Sequence, residues 1–362
     1  MSQPADVTIP PDLSRRYGAS ATGRDWLASL PRLIQQSLDR WQLELEFAPD
    51  ALPRNGHGAI VVPVRRLAGG AAGVAAGDAA EGAAGAAVLK IAYPHDEALV
   101  EPQALALWKG NGAVRLLAND AGAGALLLER LDPVRSLQDE PMDVAVPVWG
   151  ELVRRLSLVP DGGPDWRAFH HVAARAEQWS DELPETWGLL GRPFPRWLLE
   201  AALEVCQTRG AVGRRAGRDV LVHADLHYLN ILARLRSEEP DGGGGDPSGG
   251  WAAIDPQPLI GEAEFAVAPL LWNRIGELSR ADPRKALLER CRDFSTAAGL
   301  DAEAARQWSL AREVENALDY AAKPRHDGDL ARSLWVASTL AGRTLPGLPA
   351  PHDLPGPGAG TG

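Results

Sequence analysis

Cysteine is scarce. Only Cys206 and Cys291 occur in 362 residues, far apart, so no disulfide framework or zinc pattern is legible. Also missing is any continuous apolar run of about 18 residues, so no membrane span is expected. The opening MSQPADVTIPPDLSRRYG lacks the apolar segment of a secretory leader, and a reducing, cytoplasmic location is the expectation. Basic charge is in deficit: 37 Lys and Arg stand against 48 Asp and Glu, a net −11. A protein that tracks nucleic-acid phosphates needs a basic face, so no such partner is expected. An acidic surface suits a cationic small molecule, and it also serves solubility alone. No G-x-G-x-x-G pattern occurs; Asn55-Gly56-His57-Gly58 comes nearest and reads as a plain turn. No internal repeat is apparent.

What the chain does have is length and apolar content enough for two lobes of about 100–200 residues each. Residues 1–20 read as a flexible N-terminus. Trp26, Leu27, Leu30, Leu33, Ile34, Leu38 and Trp41 then recur at helical spacing, interrupted or started by Pro31. Strand-like runs follow at 59–67, 86–92 and 125–131, with a helix expected after Glu101 because Pro102 suits a first helical turn. The Ala/Gly tract from Gly69 to Gly85 reads as an expanded hairpin loop. Residues 21–131 thus form a strand-rich first lobe. From 132 to 345 the pattern is mostly helical, broken by short strands around 219–224, 230–235 and 251–255. A Gly-rich hairpin tip lies at 238–250. The Pro/Gly-rich stretch 346–362 reads as a disordered tail.

The chemistry concentrates in His223-Ala224-Asp225-Leu226-His227-Tyr228-Leu229-Asn230, a loop between two apolar strands. An Asp followed five residues later by Asn is the spacing of a kinase catalytic loop. A hydroxyl is a poor nucleophile, and a carboxylate beside it orients it and takes its proton. A neutral amide oxygen ligates hard Mg²⁺ without repelling phosphates. Asp255 ends the apolar strand Trp251-Ala252-Ala253-Ile254, where a hairpin over 231–254 brings it back beside Asn230 as second metal ligand. Lys90 inside Ala87-Val88-Leu89-Lys90-Ile91 matches the kinase lysine that grips the α- and β-phosphates and pairs with a helical Glu. Glu101 is the first candidate partner and Glu97 the fallback.

With Pro63-Val64-Arg65-Arg66, Trp108-Lys109-Gly110-Asn111-Gly112, Leu127 to Leu131, Ile254-Asp255-Pro256 and Ala268-Pro269-Leu270-Leu271-Trp272-Asn273-Arg274 added, the sequence resembles the aminoglycoside/hydroxyurea phosphotransferase family, in particular its streptomycin 6-phosphotransferase-like branch, over residues 24–345. The resemblance implies an α+β, two-lobed protein-kinase-like fold with a small antiparallel-sheet N-lobe and a mostly helical C-lobe. It implies ATP with Mg²⁺ and transfer to a hydroxyl of a small antibiotic. Asp225 would be the base, Asn230 and Asp255 the metal ligands and Lys90 the phosphate ligand. Glu129, Arg130 and Leu131 would form the hinge that meets adenine through backbone groups. The pattern departs at Ala224 and Val134, where Gly is usual, at Gln257, where Lys is common, and at Ala266, where an Asp helps fix the catalytic loop.

Two other readings compete. One is a metal-dependent hydrolase built on His223, Asp225 and His227, which leaves Asn230, Asp255 and Lys90 without a role. The other is a kinase-like module that binds nucleotide without transfer. Glu262, Glu264, Glu313, Glu315 and Asp319 are candidates for a cationic-substrate pocket, and as residues of helix faces they read equally as solvated charge. The pattern assigns no oligomeric state.

Overall fold

The computed structural model describes residues 5–47, 52–56, 58–67, 85–210, 218–235, 250–354 and 356. The chain divides into two compact units, Met1–Asp132 with Arg234–Glu239, and Pro133–Ala233 with Pro240–Gly362.

The first unit begins with α1 (Pro11–Tyr17) and α2 (Ala21–Trp41). Ser20 caps α2 by accepting a hydrogen bond from the Gly23 amide at 3.0 Å, which satisfies one of the amides a helix start leaves open. Pro31 sits inside this helix and does not end it. The strands are β1 (Leu43–Leu45), β2 (Arg54–Asn55), β3 (Ala59–Arg66) and β4 (Gly85–Ala92); after α3 (Asp96–Trp108) come β5 (Leu116–Asp120) and β6 (Ala125–Glu129). They form one antiparallel sheet in the order β1-β3-β4-β6-β5, with β2 also on β3. Alternation in β3 points Ile60, Val62 and Val64 to one face, where they meet Leu89, Ile91, Leu127 and the apolar stripe Trp26, Leu30, Ile34 and Leu38 of α2.

Two expectations change here. The N-terminus is not a free tail over its described part: Ala5, Val7 and Leu13 join the sheet core, and Tyr17 packs edge-on against Trp26. Apolar residues too few to make a helix periodicity still find a sheet face to cover. The helix expected after Glu101 instead starts at Asp96, with His95 Nδ1 accepting from the Ala98 amide at 3.2 Å. Pro102 therefore lies mid-helix. The local penalty, about 3 kcal/mol, is offset by the burial of Ala104, Leu105 and Trp108 on the same helix. Residues 69–84 of the Ala/Gly tract and 238–249 of the hairpin tip lie outside the described residues, as does the side chain of Glu97.

The second unit is mainly helical: α4 (Met142–Leu156), α5 (Val172–Leu189), α6 (Arg196–Arg209), α7 (Ala268–Trp272), α8 (Pro283–Ala298), α9 (Ala302–Ala321) and α10 (Asp327–Leu340). Two small sheets punctuate it. β7 (Leu131–Ser136), β9 (Ile231–Arg234) and β10 (Trp251–Ala253) form one, in the order β10-β9-β7; β8 (Val220–His223) and β11 (Pro258–Gly261) form the other. The strands flanking the loop 224–230, β8 and β9, thus belong to different sheets, so the loop bridges two rigid ladders. The C-terminal stretch is not disordered over its described part: Pro351 is buried and the His352 ring bonds the Leu278 carbonyl at 2.8 Å.

Gly150 marks where α4 meets α8. A Cβ there would stand 2.5 Å from the carbonyl carbon and oxygen of Ala297, backbone atoms that cannot swing aside. Alanine is the better helix former by about 1 kcal/mol, but overpacking costs about 1–3 kcal/mol. Gly150→Ala is expected to destabilise the protein by up to about 2 kcal/mol, net of those two effects; urea unfolding checks the sign, and a more stable variant would contradict the contact.

Candidate active site

Lys90 lies on β4, the strand flanked by β3 and β6, opposite Val61 and Leu126. An ammonium group among apolar neighbours must be neutralised or paired. Its Nζ stands 2.7 Å from both oxygens of Glu101, and both side chains are buried. Because α3 starts early, Glu101 projects from the helix interior and not from its edge. At the end of the same sheet, Glu129 accepts from the Arg115 amide at 2.8 Å and pairs with Arg234. Arg130 donates to the carbonyls of Val64 (2.6 Å) and Ala87 (3.1 Å) and pairs with Glu46. Leu131 is buried. The side chains of the expected hinge are thus committed internally.

In the second unit the loop 224–230 is held from several sides. The Ala224 amide donates to the Gln257 carbonyl at 3.1 Å, as β8 pairs with β11. Trp149 Nε1 on α4 donates to the Leu226 carbonyl at 3.0 Å. Inside the loop, the His227 amide donates to the Asp225 carbonyl and the Asn230 amide to the His227 carbonyl, each at 3.0 Å. The Asn230 side-chain amide donates to the Asp225 carbonyl (2.9 Å) and to Asp225 Oδ2 (3.2 Å). That use of the nitrogen directs the amide oxygen of Asn230 away from Asp225.

Asp255 comes to the same place through the β9–β10 ladder. Ile231 pairs with Ala253, and one step on, the Ile254 amide donates to the Asn230 carbonyl at 2.9 Å. The chain then turns sharply: Asp255 has φ +52°, a left-handed conformation uncommon for a residue with a Cβ. Such a backbone persists only where its surroundings fix it, and it is found most often at functional sites. His223 is the third tie. Its Nε2 bonds the Ile254 carbonyl at 3.0 Å. Burial pushes the imidazole down to about 4, partly opposed by that bond and by the nearby carboxylates of Asp225 and Asp255. His223 is therefore neutral and structural at physiological pH. His227 Nε2 lies 3.7 Å from Asp225 Oδ2, with its ring 6.4 Å from Trp272.

The structure thus gathers Asp225, Asn230 and Asp255 in the second unit and joins Lys90 to Glu101 in the first. Two carboxylates and an amide oxygen form a hard-oxygen donor set of the kind Mg²⁺ takes. Among the described residues no group of three or more His, Cys, Asp or Glu is arranged to hold a metal. His223 Nε2, which the hydrolase alternative needs as a ligand, is engaged by the Ile254 carbonyl. Three residues of the site escaped sequence reading: Trp149, Gln257 through its carbonyl, and Arg312, whose NH1 donates to the carbonyls of Ala224 (2.8 Å) and Phe265 (3.1 Å). Arg312 carries no signal of its own, since its helical neighbours Ser309, Glu315 and Asn316 are polar as well.

The five acids considered for a cationic pocket all have internal partners. Glu262 is buried, bound by Arg209 at 3.1 Å and by Trp308 Nε1 at 2.8 Å. Glu264 accepts from the Asp301 amide at 3.1 Å, Glu315 pairs with Arg175 at 3.2 Å and Asp319 with Lys323 at 2.5 Å. Glu313 is fully buried, accepts from Asn316 at 2.9 Å, and is pushed up to about 7 by burial. Glu262 and Glu313 are thus core residues and not solvated helix faces.

The architecture belongs to a recognisable class, the protein-kinase-like fold. Residues 40–324 match the model of the aminoglycoside/hydroxyurea antibiotic resistance kinase family, and the chain belongs to that family. It is 34% identical to a streptomycin 6-kinase of Streptomyces griseus, over 88% of this chain and 92% of the relative. It is 36% identical to a hydroxyurea phosphotransferase of Kitasatospora aureofaciens, over 94% and 87%. Among solved structures, a streptomycin–ATP–APH(2″)-IIa ternary complex shares the fold, with a TM-score of 0.51 at 10% identity, covering 85% of this chain and 97% of that one. The protein is an antibiotic-modifying phosphotransferase with an alcohol group as acceptor. No described helix is long and apolar enough to cross a membrane.

Glu313 gives a pH test. Its folded-state value lies above the usual 4.5, so the folded state holds the proton more tightly. Its contribution is fully present below about pH 4.5 and is lost as pH rises through about 7, a change on the order of 3 kcal/mol. Glu313→Gln removes this titration. Its stability relative to the wild type is expected to increase between pH 4.5 and 8 in urea unfolding; a pH-independent difference would contradict the assignment.

Proposed function

We propose that the protein transfers the γ-phosphoryl group of ATP to a hydroxyl of an aminoglycoside of the streptomycin type or of a hydroxyurea-like antibiotic, working in the cytoplasm. The observation that carries this reading is the convergence of Asp225, Asn230 and Asp255 on the Asn230–Ile254 hydrogen bond. Asp225, partly exposed, orients the acceptor hydroxyl and receives its proton as the new O–P bond forms and the bond to the ADP oxygen breaks. Asn230 and Asp255 would hold Mg²⁺, which supplies charge neutralisation at the phosphates. Lys90, oriented by Glu101, is the α/β-phosphate ligand. Because the side chains of Glu129 and Arg130 are engaged within the sheet, adenine contact at 129–131 falls to main-chain groups. The two buried cysteines, with thiols pushed up to about 12 and about 11 by burial, accord with a reducing compartment.

Support for the acceptor class comes from the family and from the identities to a streptomycin 6-kinase and a hydroxyurea phosphotransferase, and not from net charge, since the candidate acids are spoken for inside the protein. The test is ATP turnover with Mg²⁺ against streptomycin, other aminoglycosides and hydroxyurea. Phosphorylated product is expected with one of them. ATP binding without product from any would favour a nucleotide-binding module. Asp225→Ala is expected to lower kcat about a thousandfold while ATP affinity is retained, because the base acts on the acceptor. Near-normal transfer by that variant, measured by product mass, would remove Asp225 from its role.

A further inference from the structure

The catalytic loop carries a constraint that its own sequence does not contain. Ala224 precedes Asp225, and its carbonyl faces Arg312 of α9 at 2.8 Å. The same guanidinium nitrogen reaches the Phe265 carbonyl at 3.1 Å, and the guanidinium carbon sits 4.5 Å from the centre of the Phe265 ring. Phe265 in turn packs edge-on against Trp308 of α9, one turn before Arg312, at 5.4 Å. Ala266, next in the chain, is buried and has no polar side-chain atom with which to hold the loop. Arg312, itself 88 residues from Ala224 and 47 from Phe265 along the chain, therefore fastens the peptide before Asp225 to the segment that follows β11. The opposite polar group of Ala224, its amide, is fastened to Gln257. Both faces of residue 224 are thereby fixed, and a charge-assisted bond is among the stronger ways to fix one.

We propose that Arg312 is a positioning residue for the transfer reaction, holding Asp225 in place through the Ala224 carbonyl. The proposal rests on Asp225 being the base. Arg312 does not touch the reacting atoms in this account; it restricts the main chain from which the carboxylate projects. A guanidinium is suited to the task because one planar group serves two carbonyls and stacks on a ring at the same time. A lysine at this place supplies a charge and a donor but not the planar fork.

The experiment compares Arg312→Met, Arg312→Lys and the wild type, each with Mg²⁺, ATP and whichever acceptor the wild type phosphorylates. For Arg312→Met, kcat is expected to fall about a hundredfold, the scale of a small misplacement of a catalytic group, with KM for ATP unchanged. Arg312→Lys is expected to recover part of that loss. A general weakening of the fold would show instead as less folded protein, with the folded fraction unaltered in kcat. Hydrogen exchange over residues 224–230 is followed in parallel, and it needs no turnover: faster exchange confined to this loop in Arg312→Met is expected. If the wild type transfers phosphate and folded Arg312→Met keeps its kcat, the proposal is overturned while the function stands. If the wild type transfers to nothing, the exchange alone decides, and an unchanged loop overturns it. Should Arg312→Met not fold, Arg312→Gln takes its place with the same expected and contrary results.

Discussion

The site depends on one residue that has no chemistry of its own. Ile254 donates its amide to the Asn230 carbonyl and accepts from His223 through its own carbonyl. The first bond continues the β9–β10 ladder by one step and delivers Asp255 beside Asn230. The second ties the end of β8 to the same point. Since Asp225 lies between His223 and Asn230, both ends of the loop 224–230 and the acid from the next strand are referred to a single main-chain position. The left-handed turn at Asp255 is tolerable for that reason: its neighbour cannot move without breaking the bond to Asn230 and the bond from His223. A neutral His223 is part of the same arrangement, because burial disfavours the imidazolium more than the nearby Asp225 and Asp255 favour it.

A second regularity is that buried charge here is matched to a specific partner. Lys90 meets Glu101, Glu262 meets Arg209 and Trp308, and Asp329 meets Arg332. The desolvation of each ion is offset by a near counter-ion or a hydrogen bond. Glu313 has the neutral donor Asn316 and also takes up a proton more readily, as burial raises its pKa. The overall charge of −11 consequently says little about the acceptor, because charges that look available along a helix pattern are consumed in packing.

The departures from the family pattern become intelligible at the level of atoms. Gln257 serves the loop through its carbonyl, a group that any residue provides, so the change from the lysine common there leaves that bond intact. Ala266 takes part in the buried wall under the loop, while the polar hold on Ala224 comes from α9. Membership of the family and divergence at these positions are therefore compatible with one set of main-chain bonds around the loop.

How much was legible from the residues alone depends on the range of the interaction. The spacing of Asp225 and Asn230, the strand that ends at Asp255, the helix faces of α4 to α6 and the strand carrying Lys90 are local patterns, and local patterns are what periodicity and spacing encode. The start of α3 was misplaced because Pro102 is a strong local signal that tertiary burial of Ala104, Leu105 and Trp108 overrides. The packed N-terminus escaped because a handful of apolar residues has no period, only a destination. Trp149 and Arg312 reach the loop from 77 and 88 residues away along the chain. The sequence by itself determined which side chains could do the chemistry and in what order they occur. Only the tertiary structure decided which main-chain groups hold them still, since a hydrogen bond to a carbonyl leaves no trace in the identity of the residue that offers it.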